Sequence, residues 1–214
     1  TGKGNDQVRL DVAITTLAPD LTIIGTAREN EMSRDAAIEY AQSHGISVRQ
    51  TLASPYSTDE NLWGRSVECG ELEDPWAEPP EGVWSWTTDP GSAPDEPAIL
   101  EISFEQGIPV AIDGERLDPV TLVQRLSDLG GKHGIGRVDM VEDRLVGIKS
   151  REIYEAPAAV TLITAHKALE QLTLAKPQIR MKERVAQEYA DLVYNGLWYT
   201  GHHRDLAAYV RSSQ

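Results

Sequence analysis

Apolar positions recur at helical spacing from Asn5. Val8, Leu10, Val12, Ile14 and Leu17 precede the break at Pro19 and predict a first helix. "LTIIGTA" (21–27) is short, β-branched and apolar throughout, the pattern of a buried strand. Ser33 is placed to cap a second helix, which Gly45 ends after His44, and "ISVRQ" (46–50) reads as a second strand. Helix, strand, helix, strand is the rhythm of a parallel α/β layer. Two strands are too few to bury a parallel sheet on both faces, so residues 1–53 are expected to be the end of a larger α/β domain.

The rhythm changes beyond residue 53. "ILEISFEQGIPVAIDG" alternates Leu100, Ile102 and Phe104, then Ile108, Val110 and Ile112, with turns at Gly107 and Asp113-Gly114, and predicts an antiparallel hairpin. Asp118-Pro119 is an N-cap followed by proline at the first helical position. The helix it starts carries Val120, Val123, Leu126 and Leu129 and is expected to stop at Gly130-Gly131. "RVDMVEDRLVGIKS" resumes strands. From Pro157 the pattern is mostly helical: one helix to about Leu174, one reaching Asn195-Gly196, and a last start at Asp205. Residues 54–214 are therefore expected to form an α+β domain.

Composition narrows the class. A formal charge of −14 argues against a nucleic-acid-binding face, which should be rich in Lys and Arg. Nine acidic residues, six prolines and no Lys or Arg fall within 68–97, which excludes a helix there and predicts a long irregular connection, with a short strand at "VWSWT". Trp76, Trp84 and Trp86 are expected to hold that connection against the fold, a carbohydrate platform being the lesser alternative. The single cysteine, Cys69, excludes an internal disulfide and suits a reducing compartment. No apolar run approaches a membrane span and no leader pattern precedes the first element, so a cytoplasmic protein is expected. The histidines show no ligand spacing, and no structural metal is predicted.

Candidate chemistry falls in three stretches. In "TGKGNDQVR" (1–9) a Gly-rich turn opens a helix on which Asn5 and Arg9, four apart, share a side. The helix N-terminus suits an anion, Arg9 can fork a carboxylate, and Asp6 can hold an ammonium, which together suit a zwitterion. The same residues also read as an ordinary helix cap. In "PYSTDENLWGRSVE", Ser57 and Ser66 stand with Asp59, Glu60 and Arg65 in a hydroxyl-rich stretch that suits a cleft, while Ser57 and Glu60 equally match a capping box. "VEDRLVGIKSREIYE" offers Glu142 and Tyr154 near Lys149 and Arg151, with a hairpin-edge charge and a core ring as the plainer readings. "GKHG" (131–134) lacks the spacing of a phosphate loop and is assigned no role.

Four stretches carry a family resemblance: "TGKGNDQVR", "YSTDEN", "GKHGIGRVDMVEDRLVGIKSREIYEAPAA" and "LVYNGLWY". In this order and at these separations they closely resemble argininosuccinate synthetase of the bacterial type, and the similarity runs along essentially the whole chain. The resemblance implies an ATP-dependent ligase of arginine biosynthesis and the urea cycle. The ureido oxygen of citrulline attacks the α-phosphate of ATP, pyrophosphate leaves, and the amine of aspartate displaces AMP from the citrullyl-adenylate. It further implies a nucleotide-binding α/β domain ending near residue 53, a synthetase domain over 54–214, ATP used with Mg2+, and a cytoplasmic homotetramer.

Residue by residue, the resemblance places Thr1, Asn5 and Asp6 on aspartate, and Asn5, Arg9, Ser57, Ser66, Glu142 and Tyr154 on citrulline. No general base stands out, so no catalytic residue is assigned, and catalysis is expected from alignment and electrostatics. The family's N-terminal S-G-G-x-D-T-S loop for the pyrophosphate end of ATP has no counterpart here, and its C-terminal arm looks truncated. The chain is therefore expected to be an inactive central fragment of the ligase. The alternative is a non-catalytic amino-acid-binding or oligomerisation module. On the ligase reading, the amino-terminal and mid-chain residues serve one pocket for two small zwitterions.

Overall fold

The computed structural model describes residues 4–30, 34–47 and 56–213. In chain order the regular elements are α1 (Asn5–Leu17), α2 (Thr26–Glu29), α3 (Arg34–Ser43), β1 (Ser57–Glu60), β2 (Arg65–Glu68), β3 (Ile102–Glu105), β4 (Ile108–Ile112), β5 (Glu115–Arg116), α4 (Pro119–Lys132), β6 (Arg137–Asp143), β7 (Lys149–Glu155), α5 (Pro157–Thr173), α6 (Lys176–Tyr194) and α7 (Gly201–Ser212). The chain divides into two units. One gathers residues 1–55, 143–148 and 176–213, the other residues 56–142 and 149–175.

Among its described residues the first unit is helical. α1 ends at Leu17, as Pro19 dictates, and α3 ends as Gly45 (φ +66) allows Ile46 N to donate to Ala41 O at 2.8 Å. The expected strand at 21–27 does not form: Leu21 and Ile24 are 65% and 72% exposed, and Thr26–Glu29 winds into one helical turn. A β-branched run becomes a strand only beside another backbone, and no described residue offers one there. The turn is held instead by Glu29, which accepts from Gly25 N at 2.9 Å, and by an Arg28–Asp11 ion pair at 2.8 Å. Ile46 and Ser47 are not in a strand, while the rest of "ISVRQ", the Ser33 cap and Thr1 lie outside the described residues. α7 begins at Gly201 rather than Asp205, because Thr200 supplies the N-cap through its hydroxyl.

The second unit holds two sheets. The three-stranded sheet, in order β3-β4-β5, follows from its turns: Gln106-Gly107 (φ 49 and 77) and Asp113-Gly114 (φ 51 and 78) both have the paired positive φ that a tight hairpin needs. Its apolar side packs on α4 and α5 through Ile112, Leu122, Leu126, Ala158 and Leu162. α4 starts on the Asp118 cap as expected, but it runs through Gly130 and Gly131 to Lys132. These glycines are not stops. A Cβ on Gly131 would stand 2.3 Å from Trp86 O, and one on Gly130 3.0 Å from Pro157 Cβ, so both let neighbouring backbone approach the helix.

The four-stranded sheet has the order β1-β2-β7-β6. Ser57–Glu60 is a strand paired with β2, so the capping box does not exist. Residues 68–97 form the irregular connection expected from their prolines, with three short 3₁₀ turns and no strand at "VWSWT". The connection covers one side of the sheet with Leu72, Val83 and Trp84 against Val67 and Ile153. Trp84 and Trp86 are half-buried, whereas Trp76 is 91% exposed and does not pack as expected.

Candidate functional site

Alternation along a strand gives the four-stranded sheet two unlike faces. Ser66 lies opposite Tyr154 on one side and opposite Asp59 on the other, and Ser57 lies opposite Glu68. Directly opposed residues of antiparallel strands share a face, so Ser57, Asp59, Ser66, Glu68 and Tyr154 are on the same face. The two-residue period adds Ser150 and Glu152 from β7. On the other face stand Arg65, Val67, Ile153 and Glu155. Arg151 belongs to that second face and binds Asp139 of β6 at 2.6 and 2.7 Å, so alternation puts Glu142 on the polar side.

Within the second unit the structure thus brings four of the predicted residues, Ser57, Ser66, Glu142 and Tyr154, onto one polar face. Two carboxylates there are shielded from water: Glu142 is 6% and Glu152 7% exposed. Tyr154 donates its hydroxyl to Glu152 Oε2 at 2.5 Å, and Ser150, fully buried, donates to Glu152 Oε1 at 3.4 Å. A face of hydroxyls and buried carboxylates suits a ligand rich in N–H donors, such as an ammonium or ureido group. Glu142 does lie on the edge strand β6, but it is buried rather than a solvent-facing charge, and Tyr154 is half-buried with its hydroxyl bonded to a carboxylate rather than a core ring with a wet hydroxyl.

Glu155, on the opposite face, has different surroundings. Its fully buried carboxylate accepts from the backbone N–H groups of Ser85, Trp86 and Thr87, from the Thr87 hydroxyl at 2.6 Å and from Arg65 Nη1 at 2.7 Å. Burial by itself raises its pKa, but the donors more than offset this and hold the carboxyl below its ordinary value. Arg65 also donates to Val83 O at 2.8 Å, and Arg137 to the Thr87 carbonyl at 2.9 Å, so the whole group ties the connection to the sheet.

The first unit contains Asn5, Asp6 and Arg9, the other predicted residues among those described. Asn5 is not a cap. Its Nδ2 donates to the Tyr194 hydroxyl and its Oδ1 accepts from Leu145 N, both at 2.8 Å. Arg9 donates through Nε to Tyr194 O at 2.8 Å, lies over the Tyr194 ring at 4.9 Å, and reaches the exposed Asp6 through Nη1 at 3.1 Å. Nε is thus engaged by the Tyr194 carbonyl and Nη1 by the Asp6 carboxylate. Gly196 (φ +73) permits this close approach, since a Cβ there would stand 3.1 Å from Arg9 Cα.

Sequence reasoning missed Tyr194 and Glu152. Tyr194 lies in "LVYNGLWY", and nothing in its spacing ties it to Asn5, 189 positions away. Glu152 had a signal in hindsight: Ser150, Glu152 and Tyr154 alternate along a strand. A cleft of about 440 Å³ in the second unit, lined by Asn61, Leu62, Trp86, Gln124, Ser127 and Asp128, includes none of the candidate residues. Among the described residues, no group of three His, Cys, Asp or Glu side chains could hold a metal ion, and no helix is long and apolar enough to cross a membrane.

Residues 56–214 match the family described as the Arginosuccinate synthase C-terminal domain, and residues 1–47 the Arginosuccinate synthase N-terminal HUP domain. Among curated proteins, the argininosuccinate synthase of Dehalococcoides mccartyi strain 195 is 58% identical over all 214 residues. Those of Rubrobacter xylanophilus and Bacillus pumilus are 56% and 54% identical over the same length. The chain covers 53%, 52% and 53% of these three proteins, so it spans about half the length of the curated relatives it matches.

Proposed function

Because the chain belongs to the argininosuccinate synthase family, we propose that it supplies the amino-acid-binding residues of an ATP-dependent ligase that joins citrulline to aspartate in arginine biosynthesis. The observation that carries this reading is the family match, which runs along both units and includes every candidate residue. Citrulline is assigned to Asn5, Arg9, Ser57, Ser66, Glu142 and Tyr154, and aspartate to Thr1, Asn5 and Asp6. The chemistry of the residues supports the assignment: hydroxyls and buried carboxylates for N–H groups, a guanidinium end and a helix N-terminus for carboxylates.

The reaction follows from the substrates. The citrulline ureido oxygen attacks the α-phosphate of ATP and pyrophosphate leaves. The aspartate amine then displaces AMP. This chain's part is to hold the ureido oxygen in line with the α-phosphate and the aspartate amine against the ureido carbon from which AMP leaves, a form of catalysis that can supply ~7–11 kcal/mol of the barrier. Mg2+ would accompany the phosphates of ATP, and no residue of this chain is assigned to it. The S-G-G-x-D-T-S loop is absent from these residues, so residues 1–53 are read as part of a nucleotide-binding domain whose main ATP loop lies elsewhere, and 54–214 as the synthetase domain. By itself the chain is inactive on this reading, and the complete enzyme is a cytoplasmic homotetramer.

Exchange of labelled pyrophosphate into ATP tests the proposal. The 214-residue chain is expected to give none with citrulline present. A chimera in which these residues replace their counterparts in the Dehalococcoides mccartyi relative is expected to exchange in a citrulline-dependent manner. A chimera that folds, binds citrulline and gives no exchange would favour the non-catalytic module instead.

A further inference from the structure

Glu152 is 7% exposed, and its carboxylate oxygens point along β7 in both directions, Oε2 to the Tyr154 hydroxyl at 2.5 Å and Oε1 toward Ser150 at 3.4 Å. We propose that Glu152 is a positioning residue: by taking the Tyr154 hydroxyl proton into its hydrogen bond, it fixes the phenolic oxygen as an acceptor for an N–H group of the bound amino acid. This deepens the citrulline assignment above and rests on it.

The physical argument concerns the direction of one proton. A tyrosine hydroxyl can donate or accept, and a neutral environment lets it rotate between the two. A carboxylate accepts only, and a charge-assisted O–H···O⁻ bond at this length holds the hydroxyl proton on the Glu152 side. The lone pairs of Oη then face donors alone. A ligand presenting an ammonium or ureido N–H is accepted, and one presenting a carbonyl or carboxylate at that place is refused, because it would meet oxygen lone pairs. Glu155, three residues on, cannot do this. Its oxygens are taken by five donor groups on the other face of the sheet.

The test is a double-mutant cycle in the chimera, with citrulline KM and kcat as readouts. Glu152→Ala is expected to raise the KM for citrulline about tenfold, equivalent to ~1.4 kcal/mol, with a smaller change in kcat. Glu152→Gln, whose amide oxygen still accepts from the hydroxyl, is expected to stay within about threefold of wild type. In a Tyr154→Phe background, Glu152→Ala should add less than about twofold, since the proton it holds is gone. A full tenfold effect in that background, or none in the parent, overturns the proposal. Independently of substrate, the Tyr154 hydroxyl should give a slowly exchanging, downfield proton resonance in the 214-residue chain that Glu152→Ala abolishes. Its absence from the wild-type chain overturns the pairing. If the resonance is present and the chimera is indifferent to citrulline, the functional reading fails, and the ligand proposed for Tyr154 fails with it.

Discussion

The two faces of the four-stranded sheet use the same strands for opposite ends. On one, Val67 and Ile153 are packed under Leu72 and Val83, and the charged groups are paired, Arg65 with Glu155, which also takes backbone donors, and Arg151 with Asp139. On the other, Glu142 and Glu152 are also shielded from water, and Glu152 accepts from the Tyr154 and Ser150 hydroxyls. The Glu155 carboxylate is tied into the fold by backbone N–H groups, a hydroxyl and a guanidinium of the chain itself. The carboxylates of the opposite face are the ones that the proposed function gives to a ligand.

Removing Glu155 should break this contrast most sharply. Glu155→Ala leaves three backbone N–H groups and the Thr87 hydroxyl without this acceptor and takes the buried carboxylate partner from Arg65, and a loss of ~3–5 kcal/mol in unfolding free energy is expected by denaturant titration. Next comes Gly131→Ala, whose new methyl meets Trp86 O. Overpacking against backbone should lower stability by ~1–3 kcal/mol, with a fall in melting temperature and no change in the polar face.

The pH response gives a smaller and more specific effect. The Glu155 carboxyl is held below its ordinary value in the folded chain, so its contribution is present above the unfolded carboxyl pKa of ~4.3 and is lost as pH falls through the folded value. Stability should therefore decline from about pH 4.3 downward, and Glu155→Gln should flatten that part of the profile. The least effect is expected at Ile24, exposed on the first unit: Ile24→Ser should change stability by less than ~0.5 kcal/mol.

Local chemistry made much of this fold legible in advance. Asp118-Pro119 started α4, Asp113-Gly114 turned β4 into β5, Pro19 closed α1, and the prolines of 68–97 forbade a helix, because each acts on its own few residues. What failed depended on distant neighbours. "LTIIGTA" has the composition of a strand and no backbone beside it, and Gly130-Gly131 has the composition of a stop although its role is to admit Trp86 and Pro157. The site followed the same division. Residue types in "NDQVR" and "EIYE" suggested chemistry, but the sheet order that sets Ser66 opposite Tyr154, and the contact of Asn5 with Tyr194, join segments far apart in the chain. No spacing rule reads such pairs from one sequence.

Ser66 and Val67 are neighbours on β2 with side chains on opposite faces, and comparing them tests the division of roles most directly. Citrulline would be titrated calorimetrically into the chimera carrying Ser66→Ala or Val67→Ala, with the melting temperature of each recorded. Ser66→Ala is expected to weaken citrulline binding about tenfold, or ~1.4 kcal/mol, while its melting temperature stays unchanged. Val67→Ala is expected to lower stability by ~1–3 kcal/mol while binding is retained. Equal loss of affinity in both, or a loss confined to Val67→Ala, would contradict the assignment of the polar face to the ligand.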